Sequence, residues 1–253
     1  VEGRNLGPGG VTTSHRRIMA PAGTAGPGPA GLRSPSVTAT VVGICGGSGA
    51  GKTTLTRHLL DRIGHHRVSV LAFDAYYRCQ SALTPRDRSR VNYDHPASLD
   101  HELFAAHLAA LRAGDDVEVP VYDFATHTRT DEVEVIEARD VVLVEGILLF
   151  SFPEITPLLD VRVFLDVPAE VRLERRILRD VAERGREPDD VRRQFAATVS
   201  PMHDEFVQPH RHRATRVVRL GDPFDRVAEQ LATEITAGPV LVRPRSATLN
   251  SSG

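Results

Sequence analysis

The chain has 253 residues, of which 41% are hydrophobic and 25% charged. That balance fits one large globular domain, or a domain with a small appendage, and excludes a fibrous or wholly disordered polymer. A formal net charge of -2 and an isoelectric point near 6.6 exclude a global electrostatic pull toward nucleic acid or a membrane surface.

No apolar run reaches the length of a membrane span, and the first residues lack the continuous apolar core of a signal peptide. Cys45 falls in an apolar strand and Cys79 in a polar loop, so neither reads as a framework disulfide or a metal ligand. The expectation is a reducing, cytoplasmic setting. Residues 1–36 are rich in Gly, Pro, Ala, Ser and Thr without hydrophobic period, and are expected to be disordered. A folded domain is expected over 37–238, followed by a flexible tail over 239–253.

Val37 to Cys45 is apolar and β-branched, the pattern of a buried strand. It runs into Gly46-Gly47-Ser48-Gly49-Ala50-Gly51-Lys52-Thr53, which fits the phosphate-binding pattern G-x-x-x-x-G-K-[ST]. Thr54, Leu55, Leu59 and Leu60 then recur at helical spacing to about Ile63. Glycines between a strand and a helix let the backbone wrap an anion and aim N–H groups at it, at the positive end of the helix. Lys52 adds a mobile charge for the outer phosphates, and the Thr53 hydroxyl can reach a magnesium ion. The motif predicts binding of a nucleoside triphosphate.

A second strand over Val68 to Phe73 ends at Asp74, where open α/β sheets place ligand-facing carboxylates. On position alone, a helix-cap or turn aspartate is the alternative. A polar loop then leads to Asn92-Tyr93-Asp94-His95-Pro96 and a helix from about Asp100 to Arg112, on which His101 and His107 read as surface residues. Two alternating runs, Val117 to Tyr122 and Val133 to Glu137, predict a β-hairpin over about 116–138, with Tyr122, Phe124, His127 and Arg129 near its tip. It reads either as one wall of a pocket or as a plain solvent-exposed hairpin.

Asp140 to Gly146 marks a central parallel strand ending in Glu145, where P-loop enzymes hold magnesium directly or through water. Another strand follows over Val161 to Leu165. From Pro168 the chain is helical and dense in arginine, and Gly185 breaks it between Arg184 and Arg186. The segment over about 170–190 reads as a lid whose guanidinium groups neutralise phosphate charge. The alternative is a solvated face in which those arginines pair with Glu170, Glu174, Asp180 and Glu183. A helix over Asp189 to Phe206, a basic linker with His210 and His212, a last strand over Val217 to Leu220 and a last helix over Phe224 to Ile235 complete the chain.

Taken together, these motifs resemble the uridine kinase (uridine–cytidine kinase) family of P-loop nucleoside kinases. The resemblance is carried by GGSGAGKT, Asp74 with Tyr76-Tyr77-Arg78, Asn92-Tyr93-Asp94-His95-Pro96, Pro120-Val121-Tyr122-Asp123-Phe124 with His127 and Arg129, Glu145-Gly146-Ile147-Leu148, and the arginine-rich lid. It implies a three-layer α/β/α fold with a central parallel sheet, a hairpin forming the nucleoside pocket and a helical lid. It also implies phosphorylation of the 5′-hydroxyl of uridine or cytidine, with ATP as donor, GTP as an alternative donor, and Mg2+.

By the same resemblance Asp74 is the catalytic aspartate, Asp94 binds the ribose, and Tyr122 and His127, with Phe124 beside them, recognise the base. Tyr77, Arg176, Arg186 and Gln194 join the substrate set, Arg179 and Arg184 the nucleotide set, and the assembly is a homo-oligomer, tetramer or dimer. The chain departs from the family after Phe206, reading Arg213-Ala214-Thr215-Arg216 where members commonly carry Tyr-Ala-Asp. Two rivals stand beside this reading. One is a pantothenate- or phosphoribulose-type kinase of the same superfamily, and the other a nucleotide-binding regulatory protein without transferase activity.

Overall fold

The strands with the most continuous apolar runs lie at the centre of the sheet. In this computed structural model, which describes residues 38–237 apart from Ser89, β1 (Thr40–Gly46) is flanked by β5 (Val141–Gly146) and β6 (Val161–Asp166). The expectations for 1–36 and 239–253 lie outside the described residues. With β2 (Val68–Ala72) and β7 (Arg216–Arg219), the sheet order is β2-β5-β1-β6-β7, and every pairing is parallel. Because β1 sits where the strand order diverges, the loop after it opens into the crevice beyond the strand ends, where such sheets bind ligands.

Alternating residues of the central strands feed two cores. On one face Val42, Ile44, Leu143 and Leu165 pack with α1 (Lys52–Ile63) and α7 (Phe224–Thr236), through Leu55, Leu59, Leu231 and Ile235. On the other, Val41, Cys45, Val142 and Val144 pack with α3 (His101–Ala113) and with a single-turn 3-10 helix, Phe73–Tyr76. Asp100 caps α3 by accepting from Leu103 N (3.4 Å), and Gly114 ends it in a left-handed turn. A short α2 (Pro85–Arg88) lies in the preceding loop.

The hairpin is a separate two-stranded sheet, β3 (Val117–Asp123) with β4 (Thr128–Ile136), and its register shifts between Pro120 and Tyr122. After β6, α4 (Ala169–Arg184) ends at Gly185, whose φ of 60° turns the chain back. The helix expected over 189–206 starts as α5 (Pro188–Gln194) and continues through π-helical turns at Phe195–Val199 and His203–Val207, with α6 (Ser200–Met202) between them. No helix among the described residues is long and apolar enough to cross a membrane.

Two expectations need correcting. Asp74 lies inside the 3-10 turn that begins after Ala72, two residues past the last residue of the strand. His101 and His107 are half-buried anchors, not surface residues: His107 Nδ1 hydrogen-bonds the buried Tyr76 hydroxyl (2.8 Å), while His101 stacks on Phe152 (4.5 Å) and pairs with Glu154.

Candidate active site

The phosphate loop is held from behind. Gly49 has a φ of 82°, and a Cβ there would collide with the main-chain oxygen of Arg172, so only glycine fits. Arg176 Nη1 donates to Ser48 Oγ (3.0 Å) and Arg175 Nη1 to the Ala50 carbonyl (3.4 Å), while Arg172 and His203 pack on Gly47. One face of α4 therefore cradles the loop. Lys52 Nζ donates to the Gly46 (3.0 Å) and Gly47 (3.2 Å) carbonyls. Burial pushes the Lys52 ammonium down, with Glu145 and Asp74 pulling the other way.

Thr53 Oγ1 donates to both oxygens of Glu145, at 3.1 and 3.2 Å. A hydroxyl and a carboxylate side by side form the hard-oxygen donor set that suits Mg2+, which binds through one or two protein oxygens, waters and phosphates. Burial raises the Glu145 carboxyl, and the Lys52 charge opposes it. Thr54 is exposed on α1.

Phe73 packs on Gly146, where a Cβ would stand 2.7 Å from Phe73 Cβ. That close approach sets the Asp74 turn against the end of β5, beside Glu145. Asp74 is solvent-exposed, with protein packed around its carboxyl. Partial desolvation raises its carboxyl, and Lys52, Arg179 and Arg184 oppose that shift. Asp94 is half-buried and raised by desolvation, with the Arg176 charge opposing the shift. Tyr77 is held neutral by burial and feels Asp74, Asp94, Tyr122 and Arg176 together, so these groups share one cleft.

The aromatic wall continues from Tyr77 to Tyr122 (5.4 Å between ring centroids) and on to Phe124 (5.2 Å). His127, in a left-handed backbone conformation at φ 55°, stacks on Tyr93 at 4.4 Å. Burial lowers the His127 imidazole, which is therefore neutral at pH 7 and offers one donor and one acceptor.

Arg129 ties this wall to the Asp74 turn. Its Nε donates to Tyr77 O (3.0 Å), and its Nη2 to Tyr76 O (3.3 Å) and to Asp100 Oδ2 (3.1 Å). In an Arg129→Met chain those partners lose charge-assisted bonds worth about 1.5–3 kcal/mol. The expected result is a lower Tm and a raised KM for the acceptor substrate with the ATP KM nearly unchanged, read by melting curves and steady-state kinetics.

The lid arginines form a solvated face only in part: Arg175 and Arg184 are exposed, whereas Arg172 is buried. Arg176 Nη2 (3.1 Å) and Arg186 Nη1 (2.7 Å) both donate to Gln194 Oε1, and Arg176 and Asp180 are buried. Asp180 accepts from Arg179 and pairs with Arg176, Arg184 and Arg186. Sequence reasoning gave Arg172, Arg175 and His203 no place in the site, and named Asp180 only as an ion-pair partner and Tyr93 only within a motif. For Asp180 the signal was present, since it stands four residues from both Arg176 and Arg184.

An open cavity of about 500 Å³ lies apart from this cleft, between the ends of β6 and β7. Its lining includes Arg172 and His203, whose imidazole burial pushes down to about 4. The chemistry is set in the other space, where a lysine, arginines and a carboxylate converge beyond a phosphate loop. That arrangement suits phosphoryl transfer to a hydroxyl.

Known proteins are similar to this chain in sequence and in fold. Residues 41–224 fit the model of the "Phosphoribulokinase / Uridine kinase family". The protein named "Uridine kinase" from Listeria monocytogenes serotype 4a is 40% identical over 195 residues, covering 77% of this chain and 93% of its own length. Among solved structures, phosphoribulokinase from Rhodobacter spheroides superposes with a TM-score of 0.54 at 14% identity, covering 75% of each chain. D-glycerate 3-kinase from Cryptococcus neoformans does so at 0.53 and 18%, covering 72% of this chain and 86% of its own. These two likenesses concern the fold alone, which is that of a P-loop kinase with a five-stranded parallel sheet. With a family match over most of its length and a 40% identical relative, the chain belongs to the phosphoribulokinase/uridine kinase family.

Proposed function

We propose that this chain phosphorylates the 5′-hydroxyl of a pyrimidine ribonucleoside, uridine or cytidine, using ATP, in pyrimidine salvage. The observation that carries the reading is the position of Asp74, which feels Lys52, Arg179 and Arg184 on the donor side and acts on Tyr77 and Asp94 on the acceptor side. In this reading Asp74 accepts the 5′-hydroxyl proton as that oxygen attacks the γ-phosphorus. Lys52 and the lid arginines neutralise charge on the transferring group. Mg2+, held by Thr53 and Glu145, would supply further charge neutralisation to the phosphates.

Asp94 accepts from the ribose cis-diol, so a 2′-deoxy substrate leaves it underpaired. The aromatic wall and neutral His127 suit a flat base carrying either a carbonyl or an amine. The name of the 40% identical relatives supports the same substrate class.

The test is a steady-state comparison of uridine, cytidine, deoxycytidine, adenosine, pantothenate and sugar phosphates, with ATP and GTP as donors. Turnover of uridine or cytidine above the rest is expected, and turnover of non-nucleosides only would sink the reading. For His127→Ala, loss of one base hydrogen bond and of the Tyr93 stack should raise the pyrimidine KM by about tenfold, with ATP affinity little changed. Equal losses for both ligands point instead to a collapsed hairpin.

A further inference from the structure

Four arginines converge on one carboxylate. Asp180 has 0% exposure, and Arg176 Nε (3.5 Å), Arg179 Nη2 (2.8 Å), Arg184 Nη1 (3.5 Å) and Arg186 Nη1 (3.4 Å) lie within ion-pair distance of its oxygens. The helix is wound to bring them there. Residues 176, 180 and 184 repeat on one face of α4, and the left-handed turn at Gly185 folds Arg186 back. The N–H groups of Gly185 and Arg186 both close on the Asp180 carbonyl.

One anion does not need four cations. A carboxylate has roughly four acceptor sites, and burial alone would raise its pKa, yet Arg179, Arg184 and Arg176 hold Asp180 below the ordinary carboxylate range. Within ion-pair distance the four guanidinium groups have one carboxylate, a local surplus of three positive charges that Asp94 and Asp74 offset only from farther off. Arg176 also reaches Ser48 of the phosphate loop, and the field of Arg179 and Arg184 reaches Asp74, so the surplus faces the cleft.

We propose that Asp180 is a positioning residue that stands in for phosphate oxygens, keeping Arg176, Arg179, Arg184 and Arg186 assembled until a triphosphate arrives and takes them over. The proposal rests on the kinase reading above for its triphosphate, and not on the identity of the acceptor. Without Asp180 the four cations repel one another and splay. Removing its charge also makes the cleft one unit more positive. Attraction for a bound polyphosphate is therefore kept or increased, while the arrangement needed in the transition state is lost.

The experiment compares the unsubstituted chain with Asp180→Asn and Asp180→Glu. Inorganic tripolyphosphate is titrated by calorimetry at low and high salt, Tm is recorded, and kcat is measured with ATP. In Asp180→Asn, tripolyphosphate affinity should stay level or rise up to about tenfold, with a steeper salt dependence, while kcat falls about tenfold or more. Asp180→Glu, which keeps the charge but moves it by one methylene, should fall between the two.

A merely structural aspartate loses affinity, kcat and Tm together. That parallel loss overturns the proposal, and so does an Asp180→Asn kcat within about twofold of the unsubstituted value. If the asparagine chain does not fold, the glutamate chain decides: reduced kcat with affinity kept supports the proposal, and an unchanged kcat or a parallel loss overturns it. Should the pyrimidine reading fail, the unsubstituted chain turns over neither uridine nor cytidine, and the tripolyphosphate titrations still test Asp180.

Discussion

An Asp74→Asn chain should lose about 10²–10⁴-fold in kcat, the usual contribution of a positioned general base, while nucleoside binding largely survives. Asparagine preserves the shape of the side chain in the Phe73–Tyr76 turn but cannot accept the hydroxyl proton. The pH profile gives a second readout. Desolvation raises the Asp74 carboxyl above 3.8, against the opposing charges of Lys52, Arg179 and Arg184. A base works only when ionised, so kcat/KM should fall as pH drops through that raised value. This acid limb, read from the pH dependence of kcat/KM, should vanish in Asp74→Asn. Near-normal turnover in the variant would remove Asp74 from the role.

A Gly49→Ala chain should lose nucleotide binding and stability together. The left-handed backbone at φ 82° costs a non-glycine residue about 1–3 kcal/mol. The added methyl meets the main-chain oxygen of Arg172, which cannot rotate away like a side-chain tip. Relief requires the loop and α4 to separate, which displaces N–H groups that must converge on phosphate. Expected are a Tm lower by roughly 5–10 °C and an ATP affinity lower by on the order of 10²-fold, as for a misplaced positioning group. Melting curves and ATP titration check both, and unchanged ATP affinity would show that the loop tolerates the shift.

The fold could be read from the sequence where one local pattern allows one structure. The glycines between β1 and α1, the apolar run ending at Glu145, and the alternating runs on either side of the hairpin tip are of this kind. Contacts that depend on two distant segments meeting were not readable. Arg179 and Asp180 look the same in sequence whether α4 faces water or closes on itself, and the turn at Gly185 together with packing decides it. Tyr93 meets His127 only because a loop and a hairpin tip share the cleft. The π-helical turns at Phe195–Val199 and His203–Val207, which bring His203 to Gly47, have no local sequence signal. His107 looked like a surface residue because its partner, Tyr76, lies on another element.

The two cores divide labour between the faces of the sheet. Leu55, Leu59 and the α7 residues pack beneath the phosphate loop, whereas Phe73, Tyr76, Phe104 and Tyr122 pack beneath the proposed acceptor pocket. Side chains from opposite faces of a strand do not touch. Changes in the aromatic layer around Tyr122, away from Phe73 and Gly146, are therefore expected to reshape which alcohol is accepted with little effect on how the donor is gripped. A scaffold divided in this way lets acceptor preference diversify among descendants while a shared energy source is retained.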